Sequence, residues 1–221
     1  MRVVIAGAGS VGRSIARELL SHGHEVTLID KLPAAMKISS VADADWLLAD
    51  ACELSSLAEA EVAGSDVVVA ATGDDKANLV VSLLAKTEFA VPRVVARVNN
   101  PKNEWMFDRS WGVDVQVSTP RIMTALVEEA VSVGDIVKIF TFHQSGASIH
   151  AITLPPDSPV IGRRVGAIRW PGATVLAAII RGDRPIPPGA DDTLEAGDEL
   201  LLVLDASAED YLAEVQALLA P

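Results

Sequence analysis

The chain has 221 residues, half of them hydrophobic, 22% charged and 4% aromatic, a globular composition whose core must be built from aliphatic side chains. Its formal net charge of −12 opposes binding to nucleic-acid phosphate and to anionic lipid. Cys52 is the single cysteine, which excludes an internal disulfide, and its expected role is that of a small buried residue.

Met1-Arg2 leads directly into an apolar strand, with neither a charged leader region nor a cleavage site. The longest apolar runs, 173–180 and 200–204, are far short of the roughly 20 residues a membrane span needs. The chain is therefore expected to be cytosolic and to work at a membrane only through a partner.

Val3-Val4-Ile5-Ala6 is a continuous apolar run ending at glycine, as in a buried parallel strand. A helix over about 11–21 follows, with Val11, Ile15 and Leu19 on one face. Gly23 breaks it, and 25–29 forms a second strand closed by Asp30. Trp46-Leu47-Leu48 reads as a third strand, 54–60 as a helix, and 67–71 as a fourth strand ending in Thr72-Gly73. Asp74 or Asp75 caps the next helix, in which Leu79 meets Leu83 and Val80 meets Leu84. Residues 94–97 and 113–117 complete a six-strand set, with Pro101 near the start of the helix between them. This alternation predicts a doubly wound parallel sheet with helices on both faces.

Thr119 is expected to be the N-cap, and Pro120 the first residue, of a helix running to about 132. Ile122, Leu126 and Ala130 form one apolar stripe, and Met123 and Val127 a second. A helix apolar on two sides is wedged between two partners, so this connector is the candidate contact with another subunit. After Gly134 the texture changes. Strands are expected over 136–142, 148–154, 173–180 and 199–204, a short helix over 160–168, a Pro- and Gly-rich loop over 185–197, and a closing helix over 206–219. The resulting division is 1–118 as an α/β nucleotide-binding domain, 119–134 as connector and 135–221 as a small α+β domain.

Gly7-Ala8-Gly9-Ser10-Val11-Gly12 lies between a strand and a helix, the context that gives a G-x-G-x-x-G loop its meaning. Gly7 permits the tight turn, Gly9 the approach of a pyrophosphate, and Gly12 close packing of helix on strand. The unpaired N–H groups of the helix N-terminus then face the phosphates. Asp30 stands 18 residues past Gly12, at the strand end where a carboxylate accepts from ribose hydroxyls. It disfavours a 2′-phosphate and hence NADP, an inference that the neighbouring Lys31 softens. Asp50 and Ala51 face the adenine position, with a plain turn role for Asp50 equally open. Thr72 and Gly73 end the fourth strand at the switch point. Arg97, ending the fifth, reaches a phosphate or pairs with Asp74, Asp75 or a neighbouring subunit.

The histidines are His22, His24, His143 and His150, all expected to be solvent-facing or structurally bonded. No metal-ligand cluster and no nucleophile–base arrangement stands out. An NAD-dependent oxidoreductase, the alternative reading, would need a proton donor or acceptor beside the cofactor, and the sequence offers no candidate.

The glycine loop with Arg13, Leu28-Ile29-Asp30, Asp50-Ala51-Cys52, Ala70-Ala71-Thr72-Gly73-Asp74, Asn78, Val95-Ala96-Arg97-Val98-Asn99, Gly112-Val113-Asp114 and Leu194-Glu195-Ala196-Gly197-Asp198-Glu199-Leu200 form one pattern. Together they resemble the regulatory subunits of bacterial Trk/Ktr potassium uptake systems over essentially the whole chain. The resemblance implies a Rossmann-like RCK N-terminal (KTN) domain followed by a small RCK C-terminal domain. It implies a non-enzymatic, cytoplasmic homo-oligomer, a dimer extended to a tetramer or octameric ring, docked beneath a membrane-embedded potassium-translocating subunit. NAD(H), ATP or ADP would then bind at Gly7 to Val11, Asp30, Asp50, Ala51, Thr72, Gly73 and Arg97 and change the shape of the ring. Ser10 stands where some ATP-sensing relatives carry an arginine, and Pro120 where some carry an acidic residue, which weighs against specificity for ATP.

Overall fold

The computed structural model describes residues 1–142 and 145–220, so His143 lies outside the described residues. The chain divides into two compact units, Met1–Pro120 and Arg121–Pro221.

The first unit is a six-stranded parallel sheet in the order β3-β2-β1-β4-β5-β6. Its strands are β1 (Arg2–Ala6), β2 (Glu25–Asp30), β3 (Asp45–Leu48), β4 (Val67–Ala70), β5 (Arg93–Val98) and β6 (Val115–Ser118). Strand β1 lies centrally, pairing Val3–Ala6 with Val26–Ile29 on one side and with Val67–Ala70 on the other. Its side chains from Val3 to Ala6 are buried on both faces of the sheet, which is why the run is apolar without alternation. Two apolar clusters cover the two faces. One is built on Val4, Ala6, Leu57, Val68 and Val81, the other on Val3, Ile5, Ala16, Leu28 and Val69.

Helices α1 (Ser10–Ser21), α2 (Leu54–Glu59) and α3 (Asp75–Thr87) connect these strands. Of the two candidate caps, Asp74 caps α3, accepting from the N–H groups of Lys76 at 2.8 Å and Ala77 at 3.4 Å. The expected helix at Pro101 is a 3-10 turn, Pro101–Met106. The sixth strand starts two residues later than expected, because Val113 N–H still bonds back to Asp108 O in the preceding turn and pairing with β5 begins at Val115. The order of strands reverses between β1 and β4, and the exits of β1 and β4 therefore open a crevice between α1 and α3.

The second unit holds helix α4 (Thr119–Val131), which begins at the end of the first unit, a five-stranded sheet and helix α5 (Ala208–Leu219). Thr119, expected to be the N-cap, is already inside α4, so the helix begins one residue earlier than expected. Ile122, Met123, Leu126, Val127 and Val131 on α4 are all exposed. The sheet is antiparallel, ordered β10-β9-β11-β8-β7, with β7 Val137–Thr141, β8 Ser148–Thr153, β9 Val175–Arg181, β10 Arg184–Ile186 and β11 Glu199–Leu204. Leu200, Leu202, Leu204, Ile152 and Ile179 pack one face against Tyr211, Val215 and Leu219 of α5.

Two expectations fail in this unit. The proposed helix over 160–168 is mostly irregular and holds a single 3-10 turn, Val165–Ala167. Its backbone bonds instead to the segment ahead of β11: Gly162 N–H donates to Leu194, Val165 N–H to Asp192, and Leu194 N–H back to Arg163. The loop over 185–197 contains the end of β10, which pairs with β9 across Gly182.

His150 on β8 is 2% exposed. Its Nε2 lies 2.9 Å from Ser148 Oγ, and its Nδ1 has no partner among the described residues. Burial, reinforced by Lys138 on the neighbouring strand, pushes its pKa from 6.5 down to about 4. The unfolded chain therefore binds the proton more readily, and the stabilising effect of neutral His150 is lost as pH falls below 6.5. Between pH 7 and 5 the wild-type protein should lose about 2 kcal/mol more stability than His150→Leu. Urea unfolding of both proteins at the two pH values measures this, and parallel losses would exclude it.

Candidate functional site

The glycine loop turns sharply where β1 ends. Gly7 has φ +109°, and a Cβ there would lie 2.8 Å from both Ala71 C and Thr72 N. Gly7 therefore satisfies two demands: a backbone region that side chains avoid and a close approach to the exit of β4. Gly12 is more tightly held, since its Cβ would fall 1.9 Å from Gly7 O. The opposite holds at Gly9 and Gly73, where a Cβ would meet nothing within 4 Å. Gly7 and Gly12 bring protein backbone together, whereas Gly9 and Gly73 leave space open.

That space is a cavity of about 470 Å³ at the switch point. It is lined by Gly7, Gly9, Ser10 and Val11 from the loop, Asp30 and Lys31 from the exit of β2, and Asp50 and Ala51 beyond β3. Thr72 and Gly73 beyond β4 and Arg97 on β5 complete the set anticipated from the sequence. Ala8 and Gly12 do not line it. Ala8 is fully buried and its N–H donates to Asp30 Oδ2 at 2.8 Å, while its carbonyl accepts from Arg13 Nη1. These two residues support the loop from behind.

Sequence reasoning missed other lining residues: Ile29, Leu32, Ala35, Cys52, Ala71, Asp74, Ala77 and Val81. Ala77 and Val81 are four residues apart on the first turns of α3, so helical spacing after a switch-point strand could have found them. Leu32 and Ala35 follow Asp30 in an irregular stretch with no sequence period to reveal them.

The carboxylates of Asp30 and Asp50 are held by backbone N–H groups. Asp30 accepts from Ala8 N–H and, at 2.9 Å, from Leu32 N–H. Asp50 accepts from Cys52 N–H at 3.0 Å and from Lys31 Nζ at 3.2 Å. The Cys52 bond, with Lys31 adding to it, holds the Asp50 carboxyl below the usual range. Lys31 is raised in turn by Asp50. Lys31 is thus occupied by Asp50, through an exposed pair that contributes little to stability. Burial and the nearby Asp50 charge raise the Cys52 thiol, which makes it a poor nucleophile.

Arg97 differs from these. Its guanidinium has no partner among the described residues, and its Nε is buried without a hydrogen bond. Neither aspartate proposed as its partner takes that role. Asp74 caps α3, and Asp75 accepts from Asn99 N–H and Nδ2, Asn100 N–H and Asn103 Nδ2 at 2.7–3.0 Å. These donors outweigh burial and leave Asp75 below its ordinary pKa. A buried guanidinium nitrogen without an acceptor is uncommon in a folded protein, and an anion, a water or an acceptor on a neighbouring subunit would satisfy it. The site therefore combines an arginine with no ion-pair partner among the described residues, a helix N-terminus and two open glycines on one side, and carboxylates with spare lone pairs on the other. These features suit phosphates beside ribose hydroxyls. Among the described residues no group of His, Cys, Asp and Glu is arranged to hold a metal ion.

Fold and cavity together define a Rossmann-type α/β unit with a crevice at its switch point, followed by a small antiparallel unit. Family models match both: the TrkA-N domain over residues 3–119 and the TrkA-C domain over 149–217. The chain is 53% identical over 215 residues to the Trk system potassium uptake protein TrkA of Mycobacterium tuberculosis, covering 97% of this chain and 98% of that protein. The chain belongs to the TrkA family of Trk potassium uptake proteins. Among solved structures, the GsuK channel bound to NAD matches 100% of this chain and 39% of its own, at TM-score 0.70 and 18% identity. GsuK bound to ADP matches 61% of this chain and 35% of its own, at TM-score 0.53 and 18% identity.

Adding one methyl at Gly12 should force the loop away from α1. Gly12→Ala is expected to lower unfolding free energy by about 1–3 kcal/mol. Urea denaturation measures it, and an unchanged midpoint would show that the close approach at Gly12 is dispensable.

Proposed function

We propose that this protein is a cytoplasmic regulatory subunit of a potassium uptake system and that an adenine nucleotide, NAD(H), ATP or ADP, binds in the switch-point crevice. The observation that carries this reading is Arg97, a cation without a counter-charge among the described residues, on the rim of a cavity that also holds the glycine loop. The phosphates would lie against the first N–H groups of α1, Gly73 and Arg97. Asp30 would accept from the ribose hydroxyls, and Ala51, Leu32 and Ala35 would offer apolar surface to the base. The GsuK structures with NAD and with ADP support the placement of a nucleotide, through a shared fold.

The chemistry of the site favours binding over reaction. The bonds on Asp30 and the lowered pKa of Asp50 suit fixed hydrogen-bond acceptors, and the raised Cys52 thiol is unsuited to attack. A regulator needs only different affinities for the ligand in two shapes. The exposed apolar stripe of α4, with Met123, Val127 and Val131 each more than half exposed, supports self-association into a dimer or a larger ring. Among the described residues no helix is long and apolar enough to cross a membrane. The reading therefore places ion translocation in a membrane-embedded partner, gated as the ring changes shape.

Isothermal calorimetry of the purified protein should detect binding of at least one of NAD(H), ATP and ADP. Absence of binding for all three would overturn the reading. Gly9 gives a sharper test, because it is the N-cap of α1 with extended backbone and open space around it. Aspartate is favoured at such a cap, so Gly9→Asp should melt no lower than wild type. It should nevertheless lose more than about tenfold in affinity, through clash and charge against phosphate. A variant that melts normally and binds like wild type would place the ligand elsewhere.

A further inference from the structure

Asn78 does not line the cavity, yet it is 0% exposed and every hydrogen-bonding position of its amide is used on the phosphate side of the crevice. Its Oδ1 accepts from Thr72 N–H at 2.9 Å and from Thr72 Oγ1 at 2.6 Å. Its Nδ2 donates to Thr72 O at 3.2 Å and to Arg97 O at 2.8 Å. The amide orientation is fixed by its surroundings, since an N–H group faces one side and two carbonyls the other. Asn99 adds a second strut, its Nδ2 donating to Thr72 O at 3.1 Å.

One side chain on α3 thus ties the exit of β4 to the residue of β5 that carries the unpaired guanidinium. Thr72 lies just beyond β4 and Arg97 on the adjacent β5, but the ladder between β4 and β5 pairs Ala70 with Ala96 and ends there. Beyond that point side-chain amides supply the cross-strand bonds: of the two, Asn78 alone reaches Arg97, and Asn99 adds its bond to Thr72 O. We infer that Asn78 is a positioning residue for the anionic part of the ligand: it sets where Arg97 and the Thr72–Gly73 turn stand relative to each other and makes no contact with the ligand itself. The inference rests on the nucleotide reading above and deepens it.

A residue that places Arg97 must affect the ionic part of binding specifically. The attraction of an exposed or half-exposed arginine for phosphate is screened by salt, so the slope of ADP affinity against added salt reports whether Arg97 is engaged. Arg97→Gln fixes the slope expected without that charge. Asn78→Ala, confirmed as folded by its melting transition, should bind ADP about tenfold more weakly or worse, with its salt slope reduced toward that of Arg97→Gln. If Asn78→Ala does not fold, Asn78→Ser, too short to bridge Thr72 and Arg97, is judged by the same two readouts. Affinity within about twofold of wild type, or weaker affinity with the wild-type salt slope, would overturn the inference while leaving the nucleotide site in place. Failure of the wild-type protein itself to bind ADP, NAD(H) or ATP would overturn both.

Discussion

The first unit depends on one steric constraint: the approach of α1 to the β1 exit, with no side-chain atom at Gly12 to keep them apart. A Cβ there would lie 1.9 Å from Gly7 O, so any larger residue must move the helix or the turn. Because the helix sits that close, its first N–H groups open directly onto the crevice. Gly7 sets the second close approach, against Ala71 and Thr72, which brings the exits of β1 and β4 together. Ala8 N–H then reaches Asp30, and β2 joins the same rim. Three strand ends are thereby aligned through backbone contacts, before any ligand is considered.

Much of this was legible in the sequence because buried parallel strands carry an unmistakable composition. Val3-Val4-Ile5-Ala6 and Val67-Val68-Val69-Ala70 are apolar at every position, since both faces of the sheet are covered. The glycines were legible because each answers a steric question that few other residues can. The second unit is less legible. Arg184-Pro185-Ile186 carries no strand signal of its own, and it becomes β10 because Gly182 folds it back on β9. The apolar spacing in 160–168 suggested a helix, but Val160 and Ile168 pack into the core beneath the sheet while the backbone pairs with residues 190–194. In both places, tertiary pairing overrode a local pattern.

Within the site, the divide falls between residues that touch the cavity and residues that hold those residues still. Asp30, Asp50, Thr72 and Arg97 could be named from strand ends alone. Whether Arg97 was paired could not, because the answer depended on how Asp74 and Asp75 were engaged. Asp75 is taken up by three asparagines lying 24 to 28 residues further along the chain. Asn78 was visible only as one member of a family pattern, since its partner Arg97 lies 19 residues away. Amide networks of this kind close only in the folded chain.

The apolar stripe of α4 has a consequence for how this molecule persists in solution. Ile122, Met123, Leu126, Val127 and Val131 are exposed on a single helix, and covering them with another copy would release ordered water and favour the compact state. Under the proposed self-association, the folded subunit and its assembly then share one equilibrium governed by mass action. Dilution would act on such a protein as a mild denaturant, and the cellular abundance of the chain would help determine how much of it stays intact.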